Sequence, residues 1–217
     1  MSYVYTVIGR LIFAAITCLI VAIIAGGKEF LSQPLGQVYL ALLLLWMATI
    51  AVGRKTGERS AYDSSQQRIY ALLAVIHSVI LFAVPWEYAH FSGPIPRDGF
   101  LAWAGLTVFA LGIFFRSWAV WALRGFYTAR LGIQPGHRLI TAGPYGLIRH
   151  PGYLGEIASV LGMSLALSSL IGLTMTILLF PMLIWRIETE EEMLLVQFGE
   201  EYREYMRRTK RLIPGIY

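Results

Sequence analysis

Long apolar runs are the feature of this sequence that most limits what it can fold into. A helix needs roughly 20 apolar residues to cross the hydrocarbon core of a bilayer, and the runs near residues 4–25 and 100–123 reach that length. The chain of 217 residues is 57% hydrophobic and only 14% charged, whereas a soluble domain carries about 25% charged residues. The sequence therefore indicates an integral membrane protein.

The hydropathy pattern predicts six transmembrane helices. They lie near residues 4–25, 35–52, 69–86, 100–123, 153–167 and 170–185. Only Ser168 and Ser169 separate the last two, so these form a helical hairpin, and the fifth helix is short for a full crossing. The first run has no clear cleavage site and is followed by further spans, so it is not expected to be a signal peptide.

The predicted fold class is an all-α, polytopic membrane helical bundle. Residues 1–123 hold the first four helices. Residues 124–217 hold a loop, the helical hairpin and a C-terminal amphipathic helix, in which Leu194, Phe198, Tyr202 and Tyr205 recur on one face.

Basic residues are concentrated in alternate loops. Residues 53–68, 124–149 and 186–217 hold most of them, whereas the other connections hold only Lys28 and Arg97. Because cytoplasmic loops carry the Lys and Arg excess, we predict that both termini are cytoplasmic. The net charge of +5 is not by itself a nucleic-acid signal, and no nucleic-acid partner is expected. The single cysteine, Cys18, excludes an internal disulfide and a CxxC metal site, and no metal is expected.

The stretch GPYGLIRHPGYLGE, residues 143–156, places polar residues between apolar runs. Pro151 suits the first position of a helix, and the backbone amides at such a start favour a carboxylate or phosphate. Arg149 and His150 add donors. The alternative is a basic anchor at the cytoplasmic surface followed by a helix that starts at proline, and both interpretations stay open.

Small residues recur every three or four positions along the fifth span. They are Gly152, Gly155, Ser159, Gly162 and Ala166. Such a stripe usually marks close helix packing. Gly155 could also let a flat ligand lie against the backbone, and both uses are compatible with one helix.

Four acids crowd the point where the sixth span is predicted to leave the membrane. They are Glu188, Glu190, Glu191 and Glu192, and they follow Arg186. Glu190 and Glu191 could accept hydrogen bonds from ribose hydroxyls, while Arg186 could meet an anionic substrate. A solvated helix start explains the same pattern equally well.

Other polar residues in apolar surroundings are weaker signals. Arg116 lies about two turns inside the fourth span. It either extends toward the cytoplasmic surface, which its position near that end of the span favours, or faces the bundle interior. His77, Glu87 and His90 are expected near the opposite side, with structural roles.

Two segments together resemble the isoprenylcysteine carboxyl methyltransferase family, which is related to the phospholipid methyltransferases. They are GHRLITAGPYGLIRHPGYLGE and RIETEEEMLLVQFGEEYREYMRRTKRLIP. The resemblance covers about residues 123–214 and rests on Arg-His-Pro-x-Tyr paired with a distant Glu-Glu before Phe-Gly-x-x-Tyr. It implies a membrane methyltransferase that uses S-adenosyl-L-methionine, with carboxyl O-methylation of an isoprenylcysteine-like acceptor as the most direct expectation.

The resemblance also implies a set of site residues. Arg149 and Arg186 match arginines near the methyl-acceptor site. The cofactor-binding positions carried over are His137, Tyr145, His150, Pro151, Tyr153, Gly155, Glu190 and Glu191. The expected partners are a lipophilic small molecule or lipidated substrate and membrane lipid, with the active site on the cytoplasmic side.

Three alternatives stay open from the sequence. The acceptor could be a phospholipid or another small lipophilic amine or thiol. A nicotinamide-dependent membrane lipid reductase is a different class of enzyme. The acids near Glu190 disfavour binding of the 2′-phosphate of a nicotinamide cofactor, and the sequence contains no GxGxxG motif. A catalytically silent membrane scaffold is the third.

Overall fold

The structure is a computed structural model that describes residues 2–53, 64–91, 97, 99–123, 126–127, 131–133 and 136–217. The α-helices in these ranges are α1 (Ser2–Ile24), α2 (Lys28–Ser32), α3 (Pro34–Gly53), α4 (Ser64–His90), α5 (Phe100–Ala122), α6 (Pro151–Ala166), α7 (Leu170–Phe198) and α8 (Glu200–Arg208). A short 3-10 turn, Gly143–Gly146, precedes α6. The described residues contain no β-strand beyond an isolated bridge between Ile148 and Lys210, which confirms the all-α prediction.

Four helices are long and apolar enough to cross a bilayer. Their candidate spans are Thr6–Ile24, Arg68–His90, Phe100–Ala122 and Leu170–Phe198. The apolar part of α3 is shorter, at Pro34–Ile50, and α6 has only 16 residues, as expected for the fifth span. An integral membrane protein is therefore supported, while the count of six spans stays a prediction. The basic residues Arg54, Lys55, Arg59, Arg124 and Arg130 lie outside the described residues.

Helices α5 and α6 pack with their backbones in contact. Gly105 and Gly112 on α5 face Gly155 and Gly162 on α6, and a Cβ at any of the four would overlap backbone atoms of the opposing helix. The small-residue stripe is therefore a close packing surface. Because α5 lies so near, Arg116 is held directly beside α6.

Helix α7 does not end at the predicted membrane boundary. It continues without a break from Leu170 to Phe198 and carries the acidic segment as part of the same helix. The break comes at Gly199, whose φ of 54° lies in the left-handed region that favours glycine. The predicted tail helix is therefore divided, and α8 is a separate helix that buries Tyr202 and Tyr205.

At the end of the bundle opposite the acidic segment, Glu87 caps the start of α7. Its carboxylate accepts hydrogen bonds from the Ser169 hydroxyl and from the backbone N–H groups of Leu170, at 3.1 Å, and Ile171, at 3.0 Å. A carboxylate at a helix N-terminus satisfies orphan amides and interacts favourably with the helix dipole. The structural role expected for Glu87 is confirmed. Ser168, with φ of 52°, and Ser169 form the predicted turn.

Candidate active site

A cavity of about 430 Å³ lies between the helices near the start of α6. Its volume falls in the range of roughly 300–1,000 Å³ that is usual for small-molecule sites. Charged and aromatic side chains line the end near α6 and α8. The cavity then extends between α3 and α4, where its lining includes Trp46, Ile50, Leu73 and Ala74.

The cavity brings together most of the side chains that the sequence indicated. Those in its lining are His137, Tyr145, Arg149, His150, Tyr153, Arg186 and Glu190. Pro151, Gly155 and Glu191 are not in the lining. Gly155 lies instead against the backbone of Arg116 in α5, so the structure places it at a helix crossing rather than on the ligand side of α6.

The start of α6 has the predicted form, and the two backbone amides just before it are hydrogen-bonded within the protein. His150 precedes Pro151, which occupies the first helical position. The N–H of Arg149 donates to the carbonyl of Lys210 at 2.8 Å, and the N–H of His150 donates to the carbonyl of Arg211 at 3.0 Å. The two backbone amides that precede α6 are therefore bonded to the C-terminal segment and are not available to an anion.

Glu191 joins three parts of the chain. Its carboxylate accepts from Arg149 Nε at 2.7 Å and from Arg211 Nη2 at 2.8 Å, and it lies 3.2 Å from His150 Nε2. Arg149 also donates to the carbonyls of Met206 and Thr209. The guanidinium of Arg149 is thus turned toward α7 and the C-terminal segment.

Glu190 belongs to a second polar group, one that faces the cavity. Tyr153 donates its hydroxyl hydrogen to Glu190 Oε2 at 2.6 Å and accepts from Arg186 Nε at 2.7 Å. The guanidinium carbon of Arg186 also lies 4.6 Å from the ring centroid of Tyr70 and 5.4 Å from that of Tyr153. Cation–π contact and hydrogen bonding together fix the orientation of Arg186 at the cavity wall.

Aromatic rings form the wall on the loop side. The ring of His137 stacks on Phe126 with centroids 4.9 Å apart and lies edge-on to Phe198. Burial lowers the pKa of His137 from its ordinary value of 6.5, so this ring is neutral near pH 7. Burial raises the pKa of Tyr145 well above its ordinary value. Its backbone carbonyl accepts from the Tyr205 hydroxyl at 2.7 Å.

Among the described residues that line the cavity, Trp46 at its apolar end has a buried ring N–H without a hydrogen-bond partner, and two buried polar atoms at its polar end also lack partners. They are Nδ1 of His137 and the hydroxyl of Tyr202. Buried polar groups are nearly always hydrogen-bonded. Unpartnered polar atoms at this end of the cavity fit a site that takes a polar ligand.

A charged cluster deeper in the bundle was not expected from the sequence. Glu156 Oε1 lies 2.7 Å from His77 Nε2, and Glu156 Oε2 lies 2.7 Å from Arg116 Nε. Arg116 also donates to the Tyr127 hydroxyl at 3.2 Å. Of the two placements left open for Arg116, the favoured one at the cytoplasmic surface is wrong and the one in the bundle interior is confirmed, because its partner Glu156 holds it inside. The prediction that His77 lies away from the site is also wrong, because it lines the cavity.

The sequence feature that could have indicated this cluster was the presence of ionisable residues within apolar segments. Ionisable residues inside a transmembrane segment are costly and usually functional, and Arg116 and Glu156 both lie in apolar runs. Because 40 residues separate them, no local spacing pattern connects the two.

The fold and the cavity together define a class of protein: an integral membrane enzyme whose site has a polar, charged end and an apolar extension. Comparisons with known proteins narrow this class. The profile of the isoprenylcysteine carboxyl methyltransferase family matches residues 103–196. A probable protein-S-isoprenylcysteine O-methyltransferase of Oryza sativa is 32% identical over 150 residues, which is 68% of this chain and 73% of the relative.

Two further comparisons cover more of the chain. Methanethiol S-methyltransferase 2 of Bradyrhizobium diazoefficiens is 28% identical over 207 residues, 84% of this chain and 76% of the relative. The solved structure of the eukaryotic intramembrane Ras methyltransferase ICMT matches with a TM-score of 0.60 at 21% identity, covering 94% of this chain and 74% of that one. The chain therefore belongs to the isoprenylcysteine carboxyl methyltransferase family and is a membrane methyltransferase.

Proposed function

We propose that this protein transfers a methyl group from S-adenosyl-L-methionine to the carboxylate of a lipophilic, isoprenylcysteine-like acceptor. The observation that carries the proposal is the composition of this continuous cavity. Its end near α6 offers charged and aromatic groups, and its other end offers apolar side chains of α3 and α4. A polar donor and a lipophilic acceptor need such a pair of environments within reach of each other.

The residues at the polar end fit the proposed cofactor. Glu190 suits the ammonium group or the ribose hydroxyls, and the His137 and Tyr145 rings suit a flat base. The unpartnered atoms of His137 and Tyr202 offer further hydrogen bonds. When bound, the cofactor supplies an electrophilic methyl group on a sulfonium, and the sulfur keeps the bonding electron pair as the methyl group passes to the acceptor oxygen.

The charge of the cavity lining favours an anionic acceptor. Among the described residues that line it, the arginines are Arg116, Arg138, Arg149 and Arg186, and the acids are Glu156 and Glu190. We assign Arg186 to the acceptor carboxylate, since its guanidinium is held at the wall beside Tyr153 and the planar fork of arginine matches a carboxylate. Arg149 contributes positive charge to the same region while it anchors Glu191.

The protein's contribution is alignment and exclusion of water. A carboxylate is already the nucleophilic form, so no general base is required. Holding both reactants in line contributes roughly 7–11 kcal/mol, and the apolar wall strips water from the nucleophile. In this scheme three residues do not contact the reactants but fix the start of α6 and its contacts with neighbouring segments. They are Pro151, Gly155 and Glu191.

The proposed orientation places this site on the cytoplasmic side of six spans. The start of α6, the acidic segment of α7 and the C-terminal segment meet at one end of the bundle. Glu87 and the turn at Ser168 and Ser169 meet at the other. The basic end therefore faces the cytoplasm under the positive-inside rule.

A second candidate is methylation of a small lipophilic thiol. It is favoured by the methanethiol S-methyltransferase relative, whose alignment covers 84% of this chain. A thiol becomes a good nucleophile only as the thiolate, so this reaction needs a proton acceptor that the carboxylate reaction does not.

The test uses purified full-length protein in lipid nanodiscs with methyl-labelled S-adenosylmethionine. N-acetyl-S-farnesylcysteine, its carboxamide, an alkyl thiol and phosphatidylethanolamine are offered separately. We expect label in a base-labile ester of the first compound and none in its carboxamide. Label only in the thiol would establish the second candidate, and label in none of the four would refute both.

Cofactor binding is tested separately by calorimetry with S-adenosylhomocysteine. Glu190→Gln should weaken binding by about 1–3 kcal/mol, the range for a lost partner of a buried polar group. Glu192→Gln is the matched control, since this acid lies two residues away on the same helix but is exposed. Equal affinity in both variants would remove Glu190 from the cofactor site.

A further inference from the structure

Tyr70 on α4 joins three parts of the chain at the cavity wall. The guanidinium of Arg186, which α7 carries, lies over its ring, with 4.6 Å between the guanidinium carbon and the ring centroid. Its hydroxyl oxygen accepts from the backbone N–H of Leu131 at 2.7 Å, in the connection between α5 and α6. All three residues line the cavity. Tyr70 is not among the site residues that the family resemblance implies, because that resemblance begins near residue 123.

The ring of Tyr70 is held at both of its ends. Its Cα belongs to α4, which runs from Ser64 to His90, and its hydroxyl is bonded to the Leu131 amide. Leu131 is itself buried, with 8% of its surface exposed, so packing fixes the position of this donor. The ring of Tyr70 therefore cannot swing away from Arg186 without breaking the hydrogen bond to Leu131.

Tyr70 and Tyr153 restrain the guanidinium of Arg186 in complementary ways. The Tyr153 hydroxyl accepts from Nε at 2.7 Å and so fixes one point on the edge of the guanidinium. The ring of Tyr70 lies against its face and limits how far the plane tilts about that point. The tilt matters because arginine binds a carboxylate through two parallel N–H groups that share one plane.

The support that Tyr70 gives to Arg186 differs in charge from the support that Arg116 receives. Arg116 contacts the carboxylate of Glu156 at 2.7 Å, and this carboxylate offsets the charge of the cation that it orients. An aromatic ring attracts a cation through its quadrupole and adds no negative charge. The ring of Tyr70 therefore orients Arg186 without offsetting its charge, which suits an arginine that meets an anionic acceptor.

We propose that Tyr70 is a positioning residue for methyl transfer, whose ring sets the plane of the Arg186 guanidinium for contact with the acceptor carboxylate. Tyr70 acts through Arg186 and does not itself touch the reacting atoms. The bond to Leu131 keeps the ring in place. The proposal rests on the proposed function and deepens it, because recognition of the acceptor carboxylate then depends on a residue of α4, outside the segments that resemble the family.

The test measures binding rather than turnover. The probes are N-acetyl-S-farnesylcysteine and its carboxamide, which share one hydrocarbon tail and differ in the charge of the head. Their affinities are measured in nanodiscs saturated with S-adenosylhomocysteine, so that no methyl group is transferred. We expect the wild-type protein to bind the carboxylate at least tenfold more tightly than the carboxamide, since only the carboxylate forms a charged pair with Arg186.

Two substitutions separate the ring of Tyr70 from its hydroxyl. Tyr70→Leu removes both, and we expect the affinity ratio of carboxylate to carboxamide to fall at least fivefold, with carboxamide affinity within twofold of wild type. Tyr70→Phe keeps the ring over Arg186, and its ratio should stay within twofold of wild type. Tyr88→Leu is the matched control, because Tyr88 also lies on α4 and has Arg97 over its ring at 5.2 Å, but it is not in the described cavity lining. This control should keep the wild-type ratio.

A wild-type ratio in Tyr70→Leu would overturn the positioning role, and so would an equal loss of affinity for both probes, which is the result expected if Tyr70 only maintains the shape of the cavity. A ratio in Tyr70→Phe as low as that in Tyr70→Leu would assign the effect to the hydroxyl and overturn the role of the ring. These results leave the wild-type preference for the carboxylate, and with it the proposed function, intact. Equal affinity of the wild-type protein for the two probes would instead refute the assignment of the acceptor carboxylate to Arg186.

Discussion

At the scale of single residues, the two arginines matched to the acceptor site are held in different ways. Arg186 lies between two aromatic rings and donates to Tyr153. Arg149 is an anchor that ties Glu191 to the C-terminal segment. The two arginines therefore have different structural surroundings although both match arginines near the family's acceptor site, and substitution by lysine tests whether their roles differ.

Arg186→Lys should lower methyl transfer at least tenfold, equivalent to about 1.4 kcal/mol of transition-state stabilisation. Lysine keeps the charge but loses the planar pair of donors. S-adenosylhomocysteine affinity should stay within twofold of wild type. A proportional loss of cofactor binding would instead place Arg186 in the cofactor site.

Arg149→Lys should act mainly on stability. One ammonium group does not reproduce the separate contacts of Nε with Glu191 and of Nη1 with the Met206 and Thr209 carbonyls. We expect a loss of about 1.5–3 kcal/mol, the range for a charged hydrogen-bonding group, measured as a lower thermal unfolding temperature in detergent. Normal stability with reduced turnover would assign Arg149 to the acceptor instead.

His137 should make the protein less stable in acid. Because burial lowers its folded-state pKa below 6.5, the unfolded chain takes up a proton before the folded protein does as the pH falls. The stability contributed by the neutral ring is therefore complete above pH 6.5 and is lost as the pH drops below that value.

The measurement is the unfolding temperature of wild type and His137→Gln between pH 7.5 and pH 5. The glutamine variant should show a smaller decrease over this interval, because it has no imidazole to protonate. His90→Gln, which removes an exposed histidine, should decrease as much as wild type. Parallel decreases in all three proteins would show that His137 does not contribute.

At the scale of elements, the pairing of α5 with α6 determines the geometry of the site. The glycine contacts bring the two helices together, and this contact places Arg116 beside Glu156. Helix α7 is continuous and carries Arg186, Glu190 and Glu191. A site built on packed helices holds its side chains more precisely than a site built on loops.

Gly162→Val should separate α5 from α6, because a Cβ at this position would overlap the backbone of Phe109. We expect destabilisation of about 1–3 kcal/mol, the usual cost of overpacking, together with weakened methyl transfer. The matched control is Gly9→Val on α1, where no heavy atom lies within 4 Å of the added Cβ. Equal stability of the two variants would contradict the close packing.

At the scale of the whole molecule, the two ends of the bundle differ in chemistry. The polar part of the cavity lining, α8 and the C-terminal segment lie at one end. At the other end, Glu87 accepts a hydrogen bond from the backbone at the start of α7. This polarity agrees with the distribution of basic residues along the chain and leads to a prediction about orientation.

Single cysteines in a Cys18→Ser background report this orientation. Ser32→Cys, in an exposed position at the end of α2, should react with an impermeant maleimide added to intact cells. Glu201→Cys, on exposed α8, should react only after the membrane is opened. Labelling of Glu201→Cys from outside would reverse the proposed orientation.

Several parts of the structure could be predicted from the sequence. The apolar runs, the small-residue stripe and the helix that starts at Pro151 are properties of neighbouring residues, and each appears in the structure. Most of the site residues implied by the motifs around Arg149 and Glu190 also line the cavity, because a resemblance to a family carries three-dimensional information that spacing does not.

What only the tertiary structure decided is how polar side chains pair across the bundle. Glu191 turned toward Arg149 while its neighbour Glu190 turned toward Tyr153, and Glu156 met His77 from 79 positions away. Hydropathy and helical period are local quantities, so they fix which helices form. The rotation and depth of each helix against its neighbours come from packing, and these alone determine which buried charges face each other and which line the cavity.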